Sequence, residues 1–159
     1  MELNDWILAL HLLSAFALVG AMTIFSIALA ALRGADRPAR VVALKPTLLV
    51  GNVAVMVGVL GTVVFGVWLA FSKERYSIWD LWIILAIVGW AVATEIGRRT
   101  GGAIGPAFTR AEQLLQDGKD AADPDLAVLA RSQQAHMYHW VSVVITVLVV
   151  IDMIWKPGA

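Results

Sequence analysis

His11 stands in an otherwise apolar stretch that runs from Trp6 to Phe25. Its imidazole could bind a metal, carry a proton, or donate and accept hydrogen bonds. At 1.5 Å per residue, His11 lies about 9 Å inside the outer end of its predicted helix. Asp152 is the acidic residue closest to that depth, so we expect His11 to face the interior and bond a polar group of the last helix, such as Asp152 or Thr146. A structural hydrogen bond and a role as ligand or proton carrier both remain open.

Further polar residues, contributed by three predicted helices, reach a similar depth near the inner end of the apolar segments. They form a candidate inner polar cluster: Asn52, Glu95, His136 and His139. Glu95 precedes Arg98 and Arg99 by three and four residues, which favours an intrahelical ion pair over a binding role. The two histidines share a helix face and could hold a metal, but within the interfacial sequence HMYHW they are more typical of donors to lipid headgroups.

The sequence contains none of the common catalytic motifs. It has no cysteine, which excludes disulfides, thiolate metal sites and cysteine nucleophiles. It also lacks an HExxH motif, a carboxylate dyad and a nucleophile elbow, so it specifies neither hydrolysis nor metal catalysis. Whether the protein is an enzyme is therefore left open.

The composition is that of an integral membrane protein, since 60% of the 159 residues are hydrophobic and 15% are charged. Four apolar runs approach or exceed the roughly 20 residues that a helix needs to cross a bilayer. We place the spans at residues 5–32, 46–71, 78–98 and 134–155, in one integral membrane domain over residues 1–159. The predicted fold class is an all-α, four-transmembrane-helix bundle. The first span is too long, and its basic flank lies at the wrong end, for a cleaved signal peptide.

The distribution of basic residues predicts how the chain crosses the membrane. Nine of the twelve lysines and arginines fall in or beside the first and third connections: Arg33, Arg37, Arg40, Lys45, Arg98, Arg99, Arg110, Lys119 and Arg131. Because cytoplasmic loops are enriched in lysine and arginine, we expect these connections to be cytoplasmic and both termini to lie outside. The formal net charge is zero, which gives no argument for a nucleic-acid partner.

The third connection is predicted to contain a short cytoplasmic helix. Its first part, TGGAIGP at residues 100–106, is a cluster of helix breakers that should end the third span. The following AFTRAEQLLQ, residues 107–116, has helical spacing and ends before Asp117 and Gly118. Asp123 is expected to cap a further helix with Pro124 at its first position, so that the fourth span begins below the membrane.

A stripe of small residues runs along the second span, where Gly51, Ala54, Gly58, Gly61 and Thr62 recur at spacings of three and four. Small residues let two helices approach closely in lipid, where no hydrophobic force holds helices together. We interpret the stripe as a packing surface, and a substrate path or cofactor slot is the alternative.

The two ends of the chain, LALHLLSAFALVGAM and VLVVIDMIWKP, resemble those of a family of small bacterial predicted integral membrane proteins, domain of unknown function 2269. A first-helix histidine and a terminal Lys-Pro recur in that family. The likeness covers nearly the whole chain. It implies a multi-pass protein of the bacterial plasma membrane without an assigned chemistry.

A more distant resemblance is to the copper-resistance protein D and HemJ-type four-helix membrane proteins, where a first-helix histidine also follows an Ala-Leu pair. In the HemJ type that histidine is a haem ligand, and the matching residue here is His11. The HemJ type also has a lysine near the start of the third helix, whereas this chain reads SIWDLWIILAIVGW there. Haem b is the cofactor that this resemblance implies.

A single haem cannot be held between His11 and His139. Both axial nitrogens would have to lie about 2 Å from the iron, whereas the two residues are expected near opposite sides of a hydrocarbon core about 30 Å thick. The remaining ligand sets are His136 with His139, or His11 with either a non-histidine ligand or the His11 of a second copy.

Three classes of function are compatible with these patterns. We favour a binding or accessory membrane protein; the alternatives are a haem-binding membrane oxidoreductase of the HemJ kind and a small transporter or proton-coupled carrier. The expected partners are the lipid bilayer and either a second copy, in a homo-oligomer, or another membrane subunit. An absorption spectrum of the purified protein distinguishes the second class, and flux into liposomes distinguishes the third.

Reporter fusions at Ala159 are expected to behave as extracytoplasmic, because the basic residues hold the first and third connections in the cytoplasm. A reporter that is active only outside the cytoplasm should be active at Ala159 and inactive when inserted after Lys119. A cytoplasmic reporter that is active at Ala159 would overturn the orientation and the assigned depths of the histidines.

Overall fold

The computed structural model describes residues 2–72, 77 and 79–157, and the regular structure in these ranges is entirely helical. The helices are α1 (Leu3–Arg33), α2 (Pro38–Val42), α3 (Lys45–Ser72), α4 (Leu81–Gln116), α5 (Pro124–Ala130) and α6 (Gln133–Trp155). Four segments are long and apolar enough to cross a membrane: Leu3–Arg33, Pro38–Ser72, Leu81–Gln116 and Pro124–Trp155, whose long helices are α1, α3, α4 and α6. The predicted all-α, four-span fold is confirmed. Lys73 and Arg75 of the second connection, the predicted first residue of the third span, Ile78, and Ala159 lie outside the described residues.

α4 continues through the segment where the sequence predicted a break. The prediction that residues 100–106 end the third span, and that residues 107–116 form a separate helix, is wrong. Pro106 lies inside α4, where it removes the backbone donor that would bond the Gly102 carbonyl. Burial of Ile104, Ala107 and Leu114 offsets that loss. Packing therefore overrides local propensity and keeps this segment helical.

The length of α4 shows that part of it lies beyond the hydrocarbon core. It contains 36 residues. At 1.5 Å per residue such a helix is about 54 Å long, roughly 24 Å more than the hydrocarbon thickness of a bilayer. The last turns of α4 therefore stand in the headgroup layer and in water, where they pack against α2 and α5.

The short helix between the third and fourth spans is α5, and its start is the one that Asp123 and Pro124 predicted. The Asp123 carboxylate accepts a hydrogen bond from the Leu126 N–H at 2.7 Å. This bond, with the neighbouring Arg110 guanidinium, holds the pKa of Asp123 below its usual value. The charged cap stabilises α5 at neutral pH, and that stabilisation is lost as the pH falls through the lowered pKa.

The fourth span is a helix of its own. α5 ends at Ala130, and Ser132 begins α6 by accepting a hydrogen bond from the Ala135 N–H at 3.3 Å. The sequence predicted that the helix of the fourth span starts at Pro124. In the structure this segment forms two helices, α5 and α6.

The small-residue stripe of α3 packs against α1, which confirms the packing interpretation. The two helices are antiparallel, because Gly51 lies against Phe25, Gly58 against Leu18 and Gly61 against Ser14. A Cβ atom at Gly58 would lie 2.8 Å from the Leu18 backbone nitrogen. Only glycine allows the two backbones to come this close.

A second small-residue stripe, which the sequence reading missed, joins α4 to α6. Gly89, Ala93 and Gly97 follow one another at four-residue intervals along α4. A Cβ atom at Gly89 would lie 2.6 Å from a Val149 methyl group. Next to this contact, the Ser142 hydroxyl donates to the Ala93 carbonyl at 2.9 Å. The spans thus form two tightly packed pairs, α1 with α3 and α4 with α6.

The two helix pairs are joined at the end of the molecule that carries α2 and α5, here called the α2–α5 end. A cluster of buried side chains from α1, α2, α4, α5 and α6 forms a core there, with Leu29, Leu32, Val41, Ile104, Leu114 and Leu126 as its large members. Polar bonds across the same junction include an ion pair between Lys45 and Glu112. This end resembles the interior of a soluble helical protein.

Substitution of Gly58 by leucine is expected to destabilise the protein by about 1 to 3 kcal/mol, the usual cost of overpacking. The new side chain would force α1 and α3 apart at their closest approach. Gly20→Leu is the matched control, because a Cβ atom at Gly20 meets nothing within 4 Å. Unfolding in detergent, followed by circular dichroism, measures both variants. Equal stability of the two variants would contradict the close approach.

Candidate functional site

His11 lies on the face of α1 that packs against α3. Its Nδ1 atom is 3.0 Å from the Thr62 carbonyl oxygen. A carbonyl only accepts hydrogen bonds, so Nδ1 is the protonated nitrogen and donates to it. The ring fits against α3 because residue 66 is glycine: a Cβ atom there would lie 3.0 Å from His11 Cε1. His11 is partly buried in this position.

The prediction that His11 bonds a group of the last helix is wrong. The described partner of His11 is a backbone carbonyl of the second span, because α1 pairs with α3 and α6 pairs with α4. Thr146 is buried on α6. Asp152, the candidate outer partner, is partly buried, and its Oδ2 atom is sealed without a hydrogen-bond partner among the described residues. The structure therefore does not bring Asp152 and His11 together as a pair.

Two members of the candidate inner cluster, Asn52 and Glu95, make no described hydrogen bond to its histidines. Asn52 is exposed on α3. Glu95 accepts hydrogen bonds from Arg98 at 2.8 and 3.0 Å and from Arg99 at 3.0 Å. Its carboxylate is therefore occupied by arginines of its own helix.

The two inner histidines bond in different directions. His136 Nδ1 donates to the Ser132 carbonyl one turn earlier, at 3.0 Å. His139 is buried, and its Nε2 atom lies 2.7 Å from the Ser26 hydroxyl. Since that hydroxyl donates its single proton to the Met22 carbonyl at 2.9 Å, Nε2 of His139 is the donor. This bond joins α1 to α6, and so it links the two helix pairs.

Sequence reasoning missed the role of Ser26. A serine in the middle of an apolar helix usually bonds its own backbone, and Ser26 does so. Its second use, as the acceptor for His139, depends on which helices meet. The spacing of residues within α1 carries no signal of that contact.

The polar groups thus fall into two separate sets, His11 with α3 and His139 with Ser26. Within the part of the chain that the structure describes, no three histidine, aspartate or glutamate side chains are placed to hold a metal ion together. Each histidine uses one ring nitrogen for a bond inside the protein. For His11 the remaining nitrogen is Nε2, which bonds no described residue.

The two interhelical histidines are expected to adopt opposite tautomers. Nitrogen-15 NMR of the histidine-labelled protein in lipid nanodiscs should show His11 protonated at Nδ1 and His139 protonated at Nε2, because each donates from that nitrogen. His11→Phe and His139→Phe assign the two sets of signals. Protonation of His11 at Nε2 would contradict its bond to Thr62.

Comparison with protein-family models, with curated protein sequences and with solved structures finds no match to this chain.

Proposed function

We propose that the chain is a binding protein of the bacterial plasma membrane that takes up its ligand through His11. The observation that carries this proposal is the bond from His11 Nδ1 to the Thr62 carbonyl. It fixes the ring in the tautomer whose Nε2 keeps a lone pair. Nε2 has no partner among the described residues and is not sealed inside the chain. The ring is thus held in place as an acceptor.

The chemistry of Nε2 defines the class of ligand. A neutral imidazole nitrogen binds a metal or accepts a hydrogen bond. Histidines that ligate metals almost always donate their other ring N–H to a carbonyl, a carboxylate or water, and His11 has this arrangement. Because the described residues offer no group of three ligands, a metal bound here would have to bring most of its ligands with it.

A haem-binding oxidoreductase is the second candidate, and the same observation favours it. Haem b has four ring nitrogens of its own, so one histidine would be a sufficient protein ligand. The haem would supply one-electron redox chemistry. His11, whose Nε2 bonds no described residue, is the residue that would hold the iron. The lysine found in the HemJ type is missing from SIWDLWIILAIVGW, so a second protein ligand, if the haem needs one, would have to come from a different residue or from the His11 of a second copy.

The proposed orientation, with both termini outside, is supported by the basic residues of the first and third connections. Both connections lie at the α2–α5 end. Since cytoplasmic loops are enriched in lysine and arginine, the α2–α5 end would face the cytoplasm. His11 would then lie in the outer half of the membrane.

If the ligand is haem, protein purified from cells supplied with haem precursor is expected to show a Soret band, and His11→Phe is expected to abolish that band. His139→Phe is the matched control, since His139 bonds Ser26 at the other end of α1. His11→Phe should cost only about 0.6 kcal/mol of stability, the mean for hydrogen bonds between membrane helices. The cost is small because the Thr62 carbonyl keeps its bond within α3.

Two outcomes would contradict the proposal. A Soret band that survives in His11→Phe would place the haem elsewhere. A wild-type protein that binds neither haem nor a zinc porphyrin, and that supports ion flux in liposomes lost in His11→Phe, would make His11 a proton carrier.

A further inference from the structure

α5 lies along the connection between α1 and α2 and is tied to it at both ends. The Asp123 N–H donates to the Asp36 carbonyl at 3.1 Å. At the other end of α5, Arg131 Nε donates to the Arg33 carbonyl at 3.4 Å. These bonds bring Arg131 to the C-terminus of α1, where Arg33 is the last helical residue and Arg37 precedes α2.

Three arginines at this junction have no acidic partner. Among the described residues, no carboxylate lies within 4.0 Å of Arg33, Arg37 or Arg131, and all three are exposed. The surrounding basic residues are paired, as Arg40 is with Asp36 at 3.7 Å and Arg110 with Asp123 at 3.2 Å. The three arginines therefore carry positive charge that no described carboxylate pairs directly. The Asp120 carboxylate, which accepts a hydrogen bond from the Ala39 N–H at 2.9 Å, lies at the adjoining start of α2.

The length of α1 indicates that its last residue, Arg33, would reach the depth of the lipid headgroups when the helix crosses a bilayer. α1 has 31 residues. At 1.5 Å per residue its length is about 46 Å, which matches the roughly 40 to 45 Å of a bilayer with its headgroup layers. Arg33 ends this helix, and Arg131 is bonded to its carbonyl. Val128, on α5, which Arg131 caps, is 74% exposed and offers an apolar surface one turn before Arg131.

We propose that Arg33, Arg37 and Arg131, the arginine site, bind the phosphate of an anionic phospholipid. Guanidinium groups match phosphate oxygens in a planar fork, which makes arginine suited to this ligand. The depth of the site and the apolar Val128 favour a lipid over free phosphate, since the acyl chains can follow the exposed faces of the spans. The site is independent of His11, which bonds Thr62 within the first pair of spans.

The test measures lipid binding to the detergent-purified full chain by native mass spectrometry. The probes are short-chain phosphatidylglycerol, phosphatidylcholine and inorganic phosphate. Phosphatidylglycerol is expected to bind the wild type at least about tenfold more tightly than phosphatidylcholine. Arg33→Gln and Arg37→Gln are each expected to weaken the binding of phosphatidylglycerol by about fivefold, the effect of one arginine near a charged surface. Neither side chain bonds a described residue, so both variants should fold.

Lys119→Gln is the matched control for an exposed positive charge outside the site, because Lys119 follows the C-terminus of α4 and pairs with Asp117 at 3.6 Å. The affinity of this variant for phosphatidylglycerol should stay within about twofold of the wild type, because an exposed charge that already has an acidic partner contributes little. An Arg33→Gln, Arg37→Gln double variant that binds phosphatidylglycerol as the wild type does would overturn the site. Inorganic phosphate that competes as strongly as the lipid would also overturn it, by showing a site for a free anion.

Discussion

The close approach of the Gly58 and Leu18 backbones governs how α1 packs against α3 in lipid. Lipid tails are as apolar as leucine, so burial of apolar surface gives α1 and α3 no reason to associate. Van der Waals contact has to hold them, and it is strongest where side chains do not separate the backbones. The same approach brings His11 within 3.0 Å of the Thr62 carbonyl. The position of the imidazole is therefore a consequence of glycine packing.

The α2–α5 end is governed by different physics. Its buried residues are large and aliphatic, including Leu29, Leu32 and Leu126, whereas the residues buried between the spans are mostly small, such as Ala21, Gly58 and Ala93. In contact with water, burial of one leucine is worth about 1.5 to 3 kcal/mol. This core can therefore join the two helix pairs through side chains that would give no advantage in lipid. It also explains why α4 stays helical past Pro106, since a break there would expose the apolar face that the core buries.

Sequence patterns predicted the parts of the fold that depend on one helix at a time. Hydropathy placed the four spans, spacing identified the α3 stripe, and Asp123 with Pro124 marked the start of α5. Which helices pair is a property of two segments together, and for that reason the partner of His11 was assigned to the wrong helix. The sequence did contain information about the register of α1 against α3. Phe25, Leu18 and His11 are seven residues apart, and seven or eight residues separate Gly51, Gly58 and Gly66 on the facing helix. Matching these two series places His11 opposite Gly66.

The two interhelical histidines differ in what they hold together. His11 bonds α3, and thus stays inside one helix pair, whereas His139 bonds Ser26 across the junction of the two pairs. Both bonds use neutral groups, a carbonyl and a hydroxyl, so neither ring needs a charge to be satisfied. A change that moved one pair relative to the other would break the His139 bond and leave the His11 bond intact. The environment of His11 is therefore set within α1 and α3. The contact between the two helix pairs depends on the α2–α5 end, which contains the buried apolar core, the bond of Arg131 to Arg33 and the bond of His139 to Ser26.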